Sequence, residues 1–272
     1  MATVDLCHAP LLDTREYAAS VGASFNVKLD KTYKKTHKSS LRNDQYGPVK
    51  AVNWRLPPPN IPHTTPRVFH AHESFPSPPS GTPINNEAAS VAHCLTHFIL
   101  PMLKILREEY PHLHFGVYPE TTLSIVEEEV DEEDETVWIS KATARVDQII
   151  TGMREGDHDE ETILVIEHKR PGTLRKSDWN TTTHNLAFNA AEIAKQVRKY
   201  LHAAIHDVAG IYDSTALVGC KLDFDTYPLW HSDEEIEMKV FYEDDPADFL
   251  LSLIAMVTQG LFMRKLISDW KS

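Results

Sequence analysis

The feature that most constrains the fold of this chain is a short apolar run at residues 163–166 (Ile-Leu-Val-Ile), followed at once by Glu167, His168 and Lys169. The run predicts a strand. Because alternate side chains of a strand share a face, Glu167 and Lys169 are expected to point to the same side. A second strand-like run at residues 144–150 carries Asp147, twenty positions before Glu167. The sequence therefore predicts that two carboxylates and a lysine meet on two strands.

Two acids and a lysine are the groups needed for metal-assisted cleavage of a phosphodiester bond. A hard divalent cation such as Mg²⁺ prefers oxygen ligands and keeps several waters, so one or two carboxylates can hold it against a phosphate. Asp147 and Glu167 are the candidate ligands. The metal would lower the pKa of an attacking water, and Lys169 could orient that water or neutralise the developing charge. Acids and lysines at strand ends are more often simply solvated, so the pattern needs support from elsewhere.

Support comes from a predicted helix at residues 186–206. Gln196 and Tyr200 are four residues apart and therefore lie on one face of that helix. Apolar residues recur at helical spacing and mark a buried stripe, which comprises Leu186, Ala190, Ile193, Val197, Leu201 and Ile205. The chain thus presents an acid on one strand, Glu-x-Lys on the next strand, and Gln-x-x-x-Tyr on the following helix.

This order of motifs resembles the PD-(D/E)XK nuclease superfamily, and within it the branch typified by RecB-like and lambda-type exonucleases. The resemblance covers residues 83–245. The residue before Asp147 is Val146, so the proline of the nominal family motif is absent. The family also places a glutamate on its first core helix, and Glu87 is the best match. The resemblance implies an α/β fold, a restriction-endonuclease-like α/β/α sandwich with a central mixed sheet.

Carried over position by position, the resemblance implies a metal-dependent nuclease. Asp147 and Glu167 would bind Mg²⁺ or Mn²⁺, and the backbone carbonyl of His168 would add a ligand. Glu87 would be a further, outer ligand. Lys169 would be catalytic together with the two acids.

Other side chains near these motifs are expected to support the site or to contact nucleic acid. The resemblance assigns Gln196 and Tyr200 to this role, and Arg170 follows Lys169 directly. DNA is favoured over RNA as the partner. Further basic residues close in sequence could contact the phosphate backbone, although each taken alone is more typical of generic surface charge, namely Arg175, Lys176, Arg198 and Lys199.

Proline-rich sequence marks the first part of the chain as a separate region. Residues 57–62 read Pro-Pro-Pro-Asn-Ile-Pro, and residues 77–83 read Ser-Pro-Pro-Ser-Gly-Thr-Pro. Proline blocks helix interiors and sheet ladders, so extended or irregular backbone is expected there. The chain is therefore divided into a basic, Pro-rich and irregular N-terminal extension at 1–82, whose Pro-rich part is a linker or a wrapping arm, and a nuclease-like domain at 83–272.

The two regions differ in charge. Residues 1–82 hold ten Lys and Arg against six Asp and Glu, whereas the remainder holds 17 against 34. A dense acidic run at residues 127–135 would repel DNA and is expected at the exposed tip between two strands. The basic run of the extension could neutralise phosphates or be a solvated tail, and it comprises Lys28, Lys31, Lys34, Lys35, Lys38 and Arg42.

Hydrophobic patterning gives the order of elements in the domain. The connection at residues 157–161 is polar and turn-like, which predicts that the strands on either side of it pair antiparallel. Helices are expected near residues 86–110, 186–206 and 246–271, and strands near 114–127, 137–150, 162–169, 216–224 and 236–242. This order is typical of a layered α/β/α architecture.

Other classes of protein lack support in the sequence. Dinucleotide-binding, P-loop and serine-hydrolase glycine motifs are absent. No run reaches the roughly 18–20 apolar residues of a membrane helix, and a signal-peptide pattern is missing. The protein is therefore expected to be soluble and intracellular, nuclear or cytoplasmic, without a membrane partner.

Cysteine and histidine patterns point to structure rather than to metal binding. Three cysteines, Cys7, Cys94 and Cys220, show no metal-ligand spacing and are expected to stay reduced. His202 and His206 are four residues apart on the predicted helix, as are His93 and His97, but no zinc-protease glutamate follows. Packed or surface histidines are therefore expected.

Three functional hypotheses remain open at this level. The first is a divalent-metal-dependent nuclease. The second is a catalytically inactive nuclease-like fold that serves as a nucleic-acid-binding or protein-interaction module, because the acidic charge of residues 83–272 disfavours long-range attraction of DNA. The third is a nuclease that depends on a homo-oligomer or on a partner protein to supply its basic surface.

Overall fold

A seven-stranded mixed sheet forms the centre of the part described by the computed structural model, which covers residues 11–12, 47–56, 69–70, 84–130, 137–204, 206–222 and 235–268. Its strands are β2 (Val49–Asn53), β4 (Leu113–Val130), β5 (Val137–Arg154), β6 (Glu161–His168), β9 (Val208–Tyr212), β10 (Leu217–Lys221) and β11 (Ile236–Glu243). Two short pairs lie outside this sheet: β1 (Leu11–Leu12) with β3 (Phe69–His70), and β7 (Trp179–Asn180) with β8 (Asn185–Leu186). The predicted α/β class and central mixed sheet are confirmed.

The strand order across the sheet is β2-β11-β10-β9-β6-β5-β4. Strands β4, β5 and β6 form an antiparallel meander, in which Gln148 of β5 pairs with Ile166 of β6. This confirms the predicted antiparallel pairing of the two motif-bearing strands. Strand β6 pairs parallel with β9, and β11 pairs parallel with β2, while β10 is antiparallel to both of its neighbours. The carboxyl ends of β6, β9 and β11 therefore lie along one edge of the sheet.

The predicted first helix spans Glu87 to Glu109 and contains a change of helical pitch. Helix α1 (Glu87–Cys94) begins after Asn86, whose side chain accepts a hydrogen bond from the Ala89 N–H at 2.8 Å and so caps the helix. A π-helical turn (Leu95–Ile99) joins it to α2 (Leu100–Glu109). By length and composition this helical segment could cross a membrane, but 61% of its most apolar window is buried inside the protein, as in the core helix of a soluble domain.

Helices cover both faces of the sheet. On one face, α1, α2 and α4 (Pro246–Met263) pack into one hydrophobic core, which includes Phe98, Ile166 and Phe249. On the other face, α3 (Phe188–Ala204) packs into a second core. The predicted stripe of α3 is confirmed at Ala190, Ile193, Val197 and Leu201, which are fully buried. Leu186 is half-buried in β8, and Ile205 lies outside the described residues.

The N-terminal extension contributes a strand to this sheet, contrary to the prediction of irregular backbone throughout residues 1–82. Strand β2 pairs parallel with β11 at the edge of the sheet, with Ala51 opposite Met238. The Trp54 N–H then donates to the Val240 carbonyl at 2.8 Å, and Trp54 is buried. The sequence of β2, Val-Lys-Ala-Val-Asn, carries the alternation of a strand, which the prolines around it obscured.

The end of the last helix differs from the prediction, and the structure describes part of the predicted acidic run but none of the basic run. Helix α4 ends at Met263 rather than near residue 271, and Lys265 follows with φ of 56°, a left-handed backbone that ends a helix. Of the acidic run, residues 127–130 continue β4, which pairs with β5 up to Val130 and Val137. Residues 131–136 and the basic run at 28–42 lie outside the described residues.

Candidate functional site

Glu167 and Lys169 stand where β6 ends, on the face of the sheet covered by α3. Ile166 packs into the core beside α4 and Val165 into the core beside α3, so the alternation of the strand turns Glu167 toward α3. The Lys169 N–H donates to the Tyr212 carbonyl at 2.8 Å, which continues the pairing with β9 and fixes the backbone. Both side chains are buried, with exposed fractions of 3% and 8%.

Asp147 reaches the same place from β5. Its Oδ2 accepts a hydrogen bond from the backbone N–H of His168 at 2.7 Å. This bond holds the carboxylate against the backbone between Glu167 and Lys169. The antiparallel register of β5 and β6 explains this contact, because Gln148 is opposite Ile166 and Asp147 therefore comes next to Glu167. The sequence prediction that the two acids meet is confirmed.

Helix α3 closes the site with the side chains of Gln196 and Tyr200. The Gln196 amide donates from Nε2 to Glu167 Oε1 at 2.8 Å, and its Oε1 accepts from Lys169 Nζ at 3.1 Å. The Gln196 Nε2 also donates to the Tyr200 hydroxyl, and the Lys169 ammonium donates to Glu167 Oε1. The predicted Glu-x-Lys and Gln-x-x-x-Tyr motifs thus form one hydrogen-bonded network.

Electrostatics in this network favour a neutral Glu167 when no cation is bound. Burial raises its pKa to about 8, the ammonium of Lys169 opposes that rise, and the charge of Asp147 together with a shared hydrogen bond adds to it. Glu167 Oε2 is buried and accepts no hydrogen bond from the described residues. Two carboxyl groups side by side in this way need either a proton or a cation between them.

Glu87 and Arg170 lie at the margin of the network. Glu87 begins α1, and partial burial raises its pKa, while the charges of Lys169 and Arg170 lower it and that of Asp147 raises it. It is therefore close enough to the site to interact electrostatically. Arg170 is half-buried directly after Lys169, and its carbonyl accepts from the Thr173 hydroxyl at 2.7 Å.

The prediction that Arg198 could contact phosphate is wrong. Arg198 is fully buried, and its Nη1 donates to the carbonyl of Gly47 at 3.1 Å, so it ties α3 to the chain before β2. It follows that this guanidinium is a structural group. Arg175 and Lys176 are exposed, as a contact with phosphate requires, and Lys199 is half-buried.

Sequence reasoning missed the polar groups on the opposite side of β6. The His168 ring, which alternates with Glu167 and Lys169, faces away from α3, and its Nε2 lies 3.0 Å from Gln148 Oε1. It also makes an edge contact with the Tyr212 ring, and burial lowers the pKa of His168 to about 4. The Tyr212 hydroxyl is 2.8 Å from His93 Nδ1. Strand alternation was the available signal, since it assigns His168 and Gln148 to that side.

The donor set fits a hard divalent cation held by few protein ligands. Asp147 and Glu167 supply carboxylate oxygens, one of them buried without a hydrogen bond, and the resemblance adds the His168 carbonyl as a further ligand. Within the described residues no group of three or more His, Cys, Asp or Glu side chains is arranged to hold a metal. Magnesium sites with one or two carboxylates need no such group, because waters and substrate phosphate complete the coordination.

Comparison of the chain with models of protein families, with curated proteins and with solved structures finds no match. The site therefore has to be interpreted from its own chemistry.

Proposed function

We propose that this protein is a divalent-metal-dependent nuclease of the PD-(D/E)XK type, with DNA as the favoured substrate and a restriction-endonuclease-like fold. The single observation that carries the proposal is the buried network of Glu167, Lys169 and Gln196 beside Asp147. A purely structural contact between Lys169 and Glu167 would need no second carboxylate next to the first, since a buried acid and a half-buried acid side by side repel unless something stands between them. An Mg²⁺ or Mn²⁺ ion is the partner that this chemistry suits.

The fold around the network supports the same proposal. A helix comes first, then an antiparallel meander of three strands, a second helix, and a strand parallel to the last strand of the meander. The helices pack on both faces of the mixed sheet. This is the layered arrangement that the sequence resemblance implies, and the acids come from the adjacent strands β5 and β6.

Each residue then has a role that follows from its position. Asp147, Glu167 and the His168 carbonyl would hold the cation, with Glu87 further out, and the cation would supply Lewis-acid polarisation of the phosphate and a more acidic water. Lys169, whose ammonium is held by Glu167 and Gln196, would orient the attacking water and offset negative charge on the phosphate. Gln196 and Tyr200 would keep Lys169 and Glu167 in their rotamers.

Substitution of Lys169 tests this assignment. We expect Lys169→Met to lose on the order of 10²-fold or more in cleavage rate of DNA with Mg²⁺ or Mn²⁺, because a preorganised charge near the phosphate is removed. Folding should persist, since Met fills the space of the lysine stem and Glu167 can stay protonated. Circular dichroism checks the fold. The matched control is Lys265→Ala, which removes an exposed lysine near the end of α4.

Cleavage should be measured on labelled single-stranded and duplex DNA and RNA, with EDTA as the metal-free arm. Loss of cleavage in EDTA and in Lys169→Met, with retention in Lys265→Ala, is the expected result. Cleavage by Lys169→Met at the wild-type rate would rule out the mechanism.

A catalytically inactive nucleic-acid-binding or protein-interaction module is the second candidate. The observation that favours it is the raised pKa of Glu167, which disfavours the charged form needed by a metal. Titration calorimetry of the wild type with Mn²⁺ separates the two candidates. Heat that disappears in Glu167→Gln supports the nuclease, and absence of binding at millimolar Mn²⁺ supports the module.

A further inference from the structure

A surface cavity of about 470 Å³ lies beside the candidate site, and the proposed catalytic residues do not line it. Its volume is within the range of ordinary ligand sites. The side chains that line it include two cations, an aromatic ring, a hydroxyl and an acid, namely Arg175, Lys176, Tyr242, Thr215 and Asp244. We call it the Tyr242 cavity.

The Tyr242 cavity and the candidate site share one face and one edge of the sheet. Leu174 and Tyr242 pack against the same core as α3, which is the side to which Glu167 and Lys169 point. Tyr242 stands near the end of β11, and the carboxyl ends of β11 and β6 lie along the same edge. Three strand spacings separate β11 from β6, which is about 14 Å. A strand of nucleic acid that reaches Lys169 can therefore also reach this cavity.

Buried hydrogen bonds fix the walls of the cavity. The Leu174 N–H donates to Asp213 Oδ2 at 2.7 Å, and Asn189 Nδ2 on α3 donates to the Thr173 carbonyl at 3.1 Å. Asp213 is fully buried, and its Oδ1 accepts from the Thr215 hydroxyl at 2.6 Å. The loop after Lys169 is thereby anchored both to α3 and to the turn after β9. A ligand would meet a preformed surface rather than one it has to order.

The chemistry of the walls suits a nucleotide. Arg175 is exposed and presents a guanidinium, which matches phosphate oxygens in a bidentate arrangement. The Lys176 ammonium lies 3.7 Å from Asp244 and 5.9 Å from the centre of the half-buried Tyr242 ring. Tyr242 thus offers an aromatic surface next to two cations, which is the combination that binds single-stranded nucleic acid through stacking and phosphate contacts.

We propose that the Tyr242 cavity binds one nucleotide of the substrate strand, with its phosphate at Arg175 and Lys176 and its base against Tyr242. The proposal rests on the proposed function, because it takes the ligand from the substrate of the neighbouring site. It assigns a position for the strand away from the scissile phosphate. It also gives an overall acidic protein a local cationic contact for that strand.

Binding without cleavage tests the proposal. Fluorescence anisotropy of labelled pentathymidylate should be measured in EDTA with the full chain, so that no bond is broken. We expect Arg175→Ala and Tyr242→Leu each to weaken binding about tenfold or more, as losses of a phosphate contact and of stacking do. Tyr242→Phe should bind like the wild type because the ring remains. Lys265→Ala is the charge-matched control on the other face and should also bind like the wild type.

The outcomes separate this proposal from the nuclease assignment. Equal affinity of wild type, Arg175→Ala and Tyr242→Leu would overturn the nucleotide cavity even if the protein cleaves DNA. Absence of wild-type binding at millimolar oligonucleotide would overturn it as well. Dependence of binding on Arg175 and Tyr242 would support it even if Lys169→Met cleaves normally and the nuclease mechanism fails.

Discussion

Glu167 is a buried carboxyl that is contacted by two donors and lies beside a second acid. Lys169 and Gln196 donate to its Oε1, Asp147 stands beside it, and its Oε2 accepts no hydrogen bond from the described residues. Burial of the carboxyl raises the pKa of Glu167 more than the positive charge of Lys169 lowers it. The pKa therefore rises from its ordinary value of 4.5 to about 8. Near neutral pH the carboxyl therefore holds a proton, and a divalent cation would have to displace it.

The proton on Glu167 predicts how stability depends on pH. The folded protein binds this proton more tightly than the unfolded chain does, so the stabilisation is complete below pH 4.5 and is lost as the pH rises through 8. We expect the thermal unfolding midpoint of the wild type, relative to Glu167→Gln, to fall between about pH 5 and about pH 9 in EDTA. Differential scanning fluorimetry across this range measures the difference. Parallel profiles for the two proteins would contradict the predicted titration.

The same titration makes metal binding pH-dependent. Added Mg²⁺ or Mn²⁺ should raise the unfolding midpoint of the wild type near pH 8 much more than near pH 6, since the ligand must be deprotonated. Glu167→Gln should show little of this metal effect at either pH. A shift in the wild type that is the same at both pH values would show that Glu167 is not the titrating ligand.

At the scale of elements, the contact of α4 with β6 depends on an irregularity in the strand. The pairing of β6 with β5 changes register around Ile163, and the Ile163 carbonyl accepts from His206 Nε2 at 2.7 Å. Burial lowers the pKa of His206 to about 3, so the ring is neutral and donates. Gly260 of α4 lies directly over the same carbonyl. Helix α4 can thus approach β6 only where it carries no side chain.

Substitution of Gly260 tests this packing. A Cβ at this position would overlap the Ile163 carbonyl oxygen, which is backbone and cannot move aside cheaply. We expect Gly260→Ala to destabilise the protein by about 1–3 kcal/mol, because overpacking outweighs the gain in helix propensity. The control is Gly210→Ala, whose Cβ would meet Met256 Cε at 3.4 Å and should stabilise by about 0.4–1 kcal/mol. Urea denaturation of both variants measures the two changes, and equal stabilities would contradict the packing argument.

At the scale of the whole molecule, the sheet is completed by a strand from far upstream. Strand β2 covers the edge of β11, and three contacts from this segment hold other parts of the fold. The Gly47 carbonyl accepts from buried Arg198, the Pro48 carbonyl accepts from the Ile236 N–H at 3.1 Å, and Trp54 packs against Phe241 with ring centres 5.4 Å apart. This part of the extension therefore stabilises the domain rather than linking it to something else.

Removal of the Trp54 side chain tests whether the extension is part of the core. Trp54 is buried among residues of the core that contains α4, so we expect Trp54→Ala to cost about 3–5 kcal/mol of unfolding free energy. Arg55→Ala removes the exposed neighbouring side chain and should change stability by about 0.5 kcal/mol or less. Thermal and urea unfolding measure both. A Trp54→Ala protein as stable as Arg55→Ala would mean that β2 is dispensable.

Features of this protein that depend on local pattern could be predicted from the amino-acid sequence. The strands predicted near residues 114–127, 137–150 and 162–169 and the helix predicted at 186–206 match β4, β5, β6 and α3 in type and order. They follow from apolar periodicity, because side chains repeat every two residues on a strand and every three to four on a helix. Motif spacing also brought Asp147, Glu167, Lys169, Gln196 and Tyr200 to one place, since the antiparallel pairing of β5 and β6 and the face of α3 fix their directions.

Features that depend on residues distant in the chain became visible in the folded protein alone. Arg198 is a buried partner of Gly47 and not a surface cation, because the segment before β2 meets α3 across a separation of 151 residues in the chain. The pKa of Glu167 depends on how completely α3 removes water from the site. The Tyr242 cavity exists because β11 and the loop after Lys169 meet at one edge of the sheet. Burial and long-range pairing set these properties, and no local pattern of side chains encodes them.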